Sequence, residues 1–85
     1  MRVLLIDFKT GWYEVQIELT RGDITKLIRS LTNLQQSVPS AHFHCSSDFK
    51  GGGGIAEVEL SLVPDDSKGS FTILELQQPE IKLPE

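Results

Sequence analysis

The sequence predicts an α+β two-layer sandwich, in which one helix covers one face of a mostly antiparallel sheet of about five strands. Three observations predict it. Most of the apolar segments alternate apolar with polar side chains, as strands do. Only residues 23–38 carry apolar side chains at helical spacing. The length of 85 residues allows one domain with one modest core. The predicted order is β-β-α-β-β-β in a single domain at residues 1–76, and residues 77–85 form an edge segment or a frayed tail.

The first two segments predict an antiparallel hairpin. Residues 3–9 are rich in branched apolar side chains, and Thr10-Gly11 supplies a turn. The second strand, at residues 12–20, alternates cleanly. One side holds Tyr13, Val15, Ile17 and Leu19, and the other holds Trp12, Glu14, Gln16 and Glu18.

The helix follows the triplet Arg21-Gly22-Asp23, where the Asp23 carboxylate can accept the free amides of the first turn. It ends by residue 38, because the residue before Pro39 avoids helical geometry. A single apolar stripe on this helix favours packing against one sheet face. The stripe consists of Ile24, Leu27, Ile28, Leu31 and Leu34.

Three more strands are predicted at residues 41–46, 55–63 and 70–76, with a turn cluster that begins at Pro64. In the first of them Phe43 and Cys45 face the helix, and His42 and His44 face away. The positions that face away form an open sheet face. Its ionisable members are Glu14, Glu18, His42, His44, Glu57, Glu59 and Glu75, and Trp12, Phe71 and Ile73 lie on the same side.

This open face predicts a site that binds a protein, because exposed aromatic groups beside acidic ones are typical of a contact patch. The formal net charge is −4, so a basic protein is the better electrostatic match. The predicted partner contacts are His42, His44, Glu57 and Glu59 at the centre, with Glu14 and Glu18 beside them.

An alternative is a metal-binding or small hydrolytic domain. Residues two apart on a strand lie about 6.6–6.8 Å apart on one face, and His42 and His44 could turn toward one ion. The third ligand would come from Asp48 or from a glutamate on the neighbouring strand, such as Glu59. A second alternative is a subunit of a homo-oligomer joined through a strand edge or the open face.

Several other classes are disfavoured. The sequence contains no stripe of basic residues, which disfavours nucleic-acid binding. It also contains no apolar run as long as a secretory signal or a membrane span, so we expect a cytoplasmic protein. The glycine run 51–54 lacks the lysine and the helix that follow a phosphate-binding loop. Cys45, the only cysteine, points away from both histidines and is expected to be structural. We therefore expect no enzyme activity and no cofactor.

The central cluster resembles one known family. His42, His44, Asp48 and the glycines 51–54, set between a hairpin with a helix and a pair of closing strands, resemble the immunity protein thirty-two family of bacterial polymorphic toxin systems. The resemblance covers roughly residues 12–76. It implies a small cytoplasmic antidote that binds and silences a cognate toxin, and it implies no catalytic residue.

Overall fold

The computed structural model describes residues 1–79, and within them it confirms the α+β class. The elements in chain order are β1 (Arg2–Asp7), β2 (Tyr13–Glu18), α1 (Arg21–Gln35), β3 (His42–Ser46) and β4 (Glu57–Ser61). The predicted single sheet of five strands is wrong. The described strands form two separate two-stranded antiparallel sheets, β1–β2 and β3–β4. Each sheet is made by local pairing, and alternation alone does not specify which strand edges of two hairpins meet.

The predicted first hairpin is confirmed. β1 and β2 pair antiparallel, with Leu5 opposite Val15 and Val3 opposite Ile17. The connecting turn is closed by a hydrogen bond from the Phe8 amide to the Trp12 carbonyl oxygen at 3.1 Å. This hairpin therefore forms through contacts near in sequence, and no sheet neighbour is needed to explain its register.

The N-cap of the helix lies three residues earlier than the predicted cap, Asp23. Thr20 is the N-cap: its Oγ1 accepts the Asp23 amide at 3.1 Å, and the Asp23 carboxylate accepts the Thr20 amide at 3.0 Å. Asp23 thus belongs to a capping box as the third helical residue, because Thr20 has the extended backbone that a cap needs. A hydrogen bond from the Met1 amino group, with those from Thr20, lowers the Asp23 pKa to about 2.

α1 is 15 residues long and ends at Gln35, before the predicted limit at residue 38. No helix within residues 1–79 has the length and apolar character needed to cross a membrane. The helix lies against the β3–β4 sheet, where Leu34 borders a shallow groove with Ala41 and Phe43. On that sheet face Phe43 pairs with Leu60 across the two strands. The helix therefore packs against one sheet face, as predicted, but the contact is with β3 of the second hairpin.

The β1–β2 hairpin stays largely uncovered. Among residues 1–79 no side chain is fully buried, and Leu5 and Val15 on one hairpin face are 55% and 56% exposed. The radius of gyration is 16.4 Å, whereas a compact chain of this length would measure about 12 Å. The described chain therefore leaves much of its apolar surface in water.

The predicted last strand is also wrong. Residues 70–76 form no strand, and Phe71 and Ile73 are each 99% exposed. The turn cluster before them does form, with the Ser67 amide donating to the Pro64 carbonyl oxygen at 2.9 Å. An alternating pattern becomes a strand only where a partner edge accepts its backbone hydrogen bonds, and no such partner lies beside this segment in the described chain. Of the predicted tail, residues 80–85 lie outside the described residues.

Candidate functional site

The β3–β4 hairpin positions a histidine and glutamate cluster on the face turned away from α1. Along β3 the exposure alternates, so that His42 and His44 are exposed while Phe43 and Cys45 are partly buried. The register places Glu59 directly opposite His44. Since facing strands are about 4.7–4.9 Å apart, that register brings the two side chains within contact of each other.

The cluster consists of His42, His44, Glu57 and Glu59, the four central positions that the sequence predicted. Glu59 Oε1 lies 3.7 Å from His42 Nε2 and 3.8 Å from His44 Nε2. His44 Nδ1 lies 2.9 Å from Glu57 Oε1. The two imidazole rings meet edge to face, with their centroids 5.0 Å apart. The structure therefore brings these four side chains into one compact group, which we call the His/Glu cluster.

Two serines orient the His/Glu cluster. The Ser40 carbonyl oxygen lies 3.1 Å from His42 Nδ1, and Ser46 Oγ donates to Glu57 Oε1 at 3.2 Å. Sequence reasoning missed both roles. Ser46 could have been found, because it shares the outward face of the strand with the histidines. Ser40 acts through its backbone, at φ 81° ahead of the strand, and no side-chain pattern reveals that.

The two remaining predicted contacts lie elsewhere. Glu14 and Glu18 are on β2, in the other sheet, so they do not share a continuous sheet face with the His/Glu cluster. Glu18 pairs with Arg2 across β1–β2, and the hydrogen bond from that guanidinium lowers the Glu18 pKa. The Glu14 carboxylate accepts a hydrogen bond from Gln16 Nε2 at 3.2 Å. Glu75, also expected on the open face, belongs to the unpaired segment.

Asp48, the alternative third metal ligand, is also placed apart. Its carboxylate accepts a hydrogen bond from the Lys50 amide at 3.2 Å and lies 3.6 Å from Lys50 Nζ. The side chain therefore stabilises the turn after β3. Within residues 1–79 the group of His and acidic side chains with converging ligand atoms is His42, His44 and Glu59. The candidate ligand that shares the histidine face is therefore Glu59.

The glycine run forms the loop between β3 and β4. Gly51 and Gly54 have φ of 89° and 142°, in the region that other residues rarely adopt, and this shapes the return of the chain. The loop borders a cleft of about 430 Å³ that also includes Val3 and Phe49. The segment that follows is β4, which lacks the amide cluster that a helix N-terminus offers to a phosphate.

Cys45 is partly buried on the helix side of β3, opposite Val58. It lines a second cleft, of about 380 Å³, together with Asp48 and Ala56. Its position on the strand places it on the face opposite the histidines, so the thiol and the imidazoles do not form a nucleophile and base pair. The chemistry that the His/Glu cluster offers is therefore hydrogen bonding, ion pairing and metal coordination.

Comparisons of the chain with protein-family models, with curated proteins and with solved structures found no match. Membership of the immunity protein thirty-two family therefore stays a prediction, which depends on His42, His44, Asp48 and the glycine run.

Proposed function

We propose that this protein is a non-enzymatic binding module for a basic protein, and that it serves as an antidote to a bacterial toxin, as the family resemblance implies. The observation that supports the proposal best is the His/Glu cluster itself. Its four side chains are exposed together on a sheet face that the helix leaves open. Exposed, preoriented polar groups on one face are what a specific contact surface requires.

Charge supports a basic partner. The chain carries 12 acidic and 8 basic residues, and two of the acidic residues, Glu57 and Glu59, belong to the His/Glu cluster. Complementary charge accelerates encounter between proteins and disfavours partners of like charge. The imidazoles beside the carboxylates supply both donors and acceptors, so this face can form hydrogen bonds to a partner as well as ion pairs.

The uncovered apolar surface supports a protein as the partner, in preference to a small molecule. Beside Leu5 and Val15, the hairpin exposes Tyr13 and Ile17 by 60% and 46%. Apolar surface of this kind is costly to leave in water, and a bound protein would cover it. A standard protein interface buries about 800 Å² on each side, and covering such apolar surface is one source of its stability.

The experiment is a growth-rescue assay with the toxin domain encoded beside the gene of this protein, combined with association kinetics of the purified pair. We expect E57K/E59K to abolish protection and to lower the association rate at least about 10-fold. The matched control is D65K/D66K in the turn after Pro64. Both double variants add the same charge and bring the formal net charge from −4 to zero.

The control separates a contact from a general effect of charge. If D65K/D66K loses protection to the same degree, the acidity of the whole chain explains binding and the His/Glu cluster is not the contact. If E57K/E59K protects fully, the proposed face is wrong. A third variant, E14K, tests whether the β1–β2 sheet takes part. Measuring the mass of the protein alone in solution shows whether the partner is instead a second copy.

A further inference from the structure

We propose that His42, His44 and Glu59 form a binding site for a divalent transition metal ion of the zinc class. The two imidazole nitrogens and one carboxylate oxygen would supply three ligands, and the exposed side of the sheet leaves a fourth position to water. Two histidines with one carboxylate and an open position are a donor set that zinc accepts. The site shares these three residues with the contact face proposed above, but the binding of an ion requires no protein partner, so the two proposals can be tested separately.

The distances from Glu59 to the two imidazole nitrogens are close to those between the ligand atoms of a metal site. Glu59 Oε1 is 3.7 Å from His42 Nε2 and 3.8 Å from His44 Nε2, and the three ligand atoms all lie within 4.8 Å of one another. Both distances to Glu59 exceed the range of an N–H···O hydrogen bond, about 2.7–3.2 Å. Tetrahedral coordination with bonds of about 2.0–2.1 Å separates ligand atoms by about 3.3–3.4 Å. The two distances to Glu59 therefore exceed those of a zinc site by only a few tenths of an ångström. The two imidazole nitrogens, which lie within 4.8 Å of each other, come closer when the side chains rotate.

The second nitrogen of each imidazole has a partner that leaves Nε2 available. The Ser40 carbonyl oxygen can only accept a hydrogen bond, so its contact with His42 requires a proton on Nδ1. His44 Nδ1 lies 2.9 Å from the Glu57 carboxylate, which favours the same tautomer. In the neutral form of both rings the lone pair then lies on Nε2, the atom that faces Glu59.

Outer contacts of this kind are a property of metal sites. A histidine that binds a metal almost always donates its other ring N–H to a carboxylate or a backbone carbonyl, which fixes the tautomer and the ring orientation. The structure supplies one partner of each type, a carbonyl for His42 and a carboxylate for His44. Ser46 Oγ in turn donates to Glu57, which holds that carboxylate in place. Histidines that only face solvent do not require this arrangement.

The test is a titration of the purified, untagged protein with Zn²⁺, followed by calorimetry and by ¹⁵N NMR of the imidazoles. We expect one ion per chain and a large shift of Nε2, but not of Nδ1, in both histidines. E59Q should remove saturable binding. E57Q should weaken affinity about 10–100-fold and retain the stoichiometry, as expected for an outer contact. Mg²⁺ should not compete, because imidazole is a poor ligand for it.

D48N is the matched control, since Asp48 is the other exposed acidic side chain close in sequence to the histidines. It should bind Zn²⁺ as the native protein does, and far-UV circular dichroism should show that all three variants keep the native fold. The proposed site is overturned if the native protein shows no saturable binding, if D48N weakens binding as much as E59Q does, or if coordination shifts Nδ1. A failure of these measurements leaves the protein-binding proposal intact, because growth rescue is a separate measurement.

Discussion

Replacement of Phe43 by alanine tests how the helix and the second hairpin stabilise each other. Phe43 is partly buried between Leu60 and the end of α1, in a chain that has no fully buried side chain among its described residues. Truncation of a fully buried phenylalanine costs about 3–5 kcal/mol. Because Phe43 keeps part of its surface in water, we expect about 2 kcal/mol for Phe43→Ala.

That loss is large for this chain. Proteins have a free energy of unfolding of about 0.05–0.15 kcal/mol per residue, or about 4–13 kcal/mol for this length, and the sparse burial favours the low end. Urea unfolding followed by far-UV circular dichroism should show the midpoint lowered by about 1–2 M, given a slope near 1–2 kcal/mol per M. Phe71→Ala is the matched control, since Phe71 is 99% exposed, and a surface substitution of this kind stays within about 0.5 kcal/mol. Equal destabilisation by both variants would mean that residues 70–76 pack on the fold, and the reasoning would then be wrong.

Three further predictions follow from local geometry. Thr20→Ala should lower the free energy of unfolding by about 1 kcal/mol in the same urea assay, because it removes the acceptor of the capping box, whereas Thr25→Ala inside the helix should not destabilise the protein. Because the pKa of Asp23 is lowered, its contribution to stability is complete above about pH 4 and is lost as the pH falls through about 2. A titration of helix content with acid should show this loss, and Asp23→Asn should remove it. Gly51→Ala should destabilise the protein by about 1–2 kcal/mol because of its φ of 89°, whereas Gly52→Ala, where an added Cβ meets open space, should be neutral or slightly stabilising in thermal unfolding.

Much of the His/Glu cluster was predictable, because the direction of a side chain on a strand follows the period of the backbone. The spacing of His42 and His44 is enough to place both on the face opposite Phe43, whatever sheet the strand joins. The choice between Glu59 and Asp48 was not predictable in this way. It depends on the register of β3 against β4, which the loop of residues 47–56 sets, and on the turn hydrogen bonds that hold Asp48 beside Lys50.

The start of the helix was likewise predictable only in part. The sequence placed Asp23 among the capping groups, and the structure keeps it there, but as the third helical residue. Thr20 and Asp23 both carry acceptors for free amides, so the sequence favours neither position strongly. Thr20 is the N-cap because its backbone, at φ −76° and ψ 167°, is extended where the chain leaves β2.

The sequence by itself determined which residues form the four strands and the helix, and which side chains share a face of each, although it also predicted a fifth strand at residues 70–76 that does not form. Those properties follow from the repeat of the backbone, which acts over a few residues. Only the tertiary structure decided that the two hairpins form separate sheets, that α1 packs against the second one, and that Glu14 and Glu18 lie in a different sheet from Glu59. These outcomes depend on which unpaired edges and apolar faces meet across the chain, and periodicity carries no information about that.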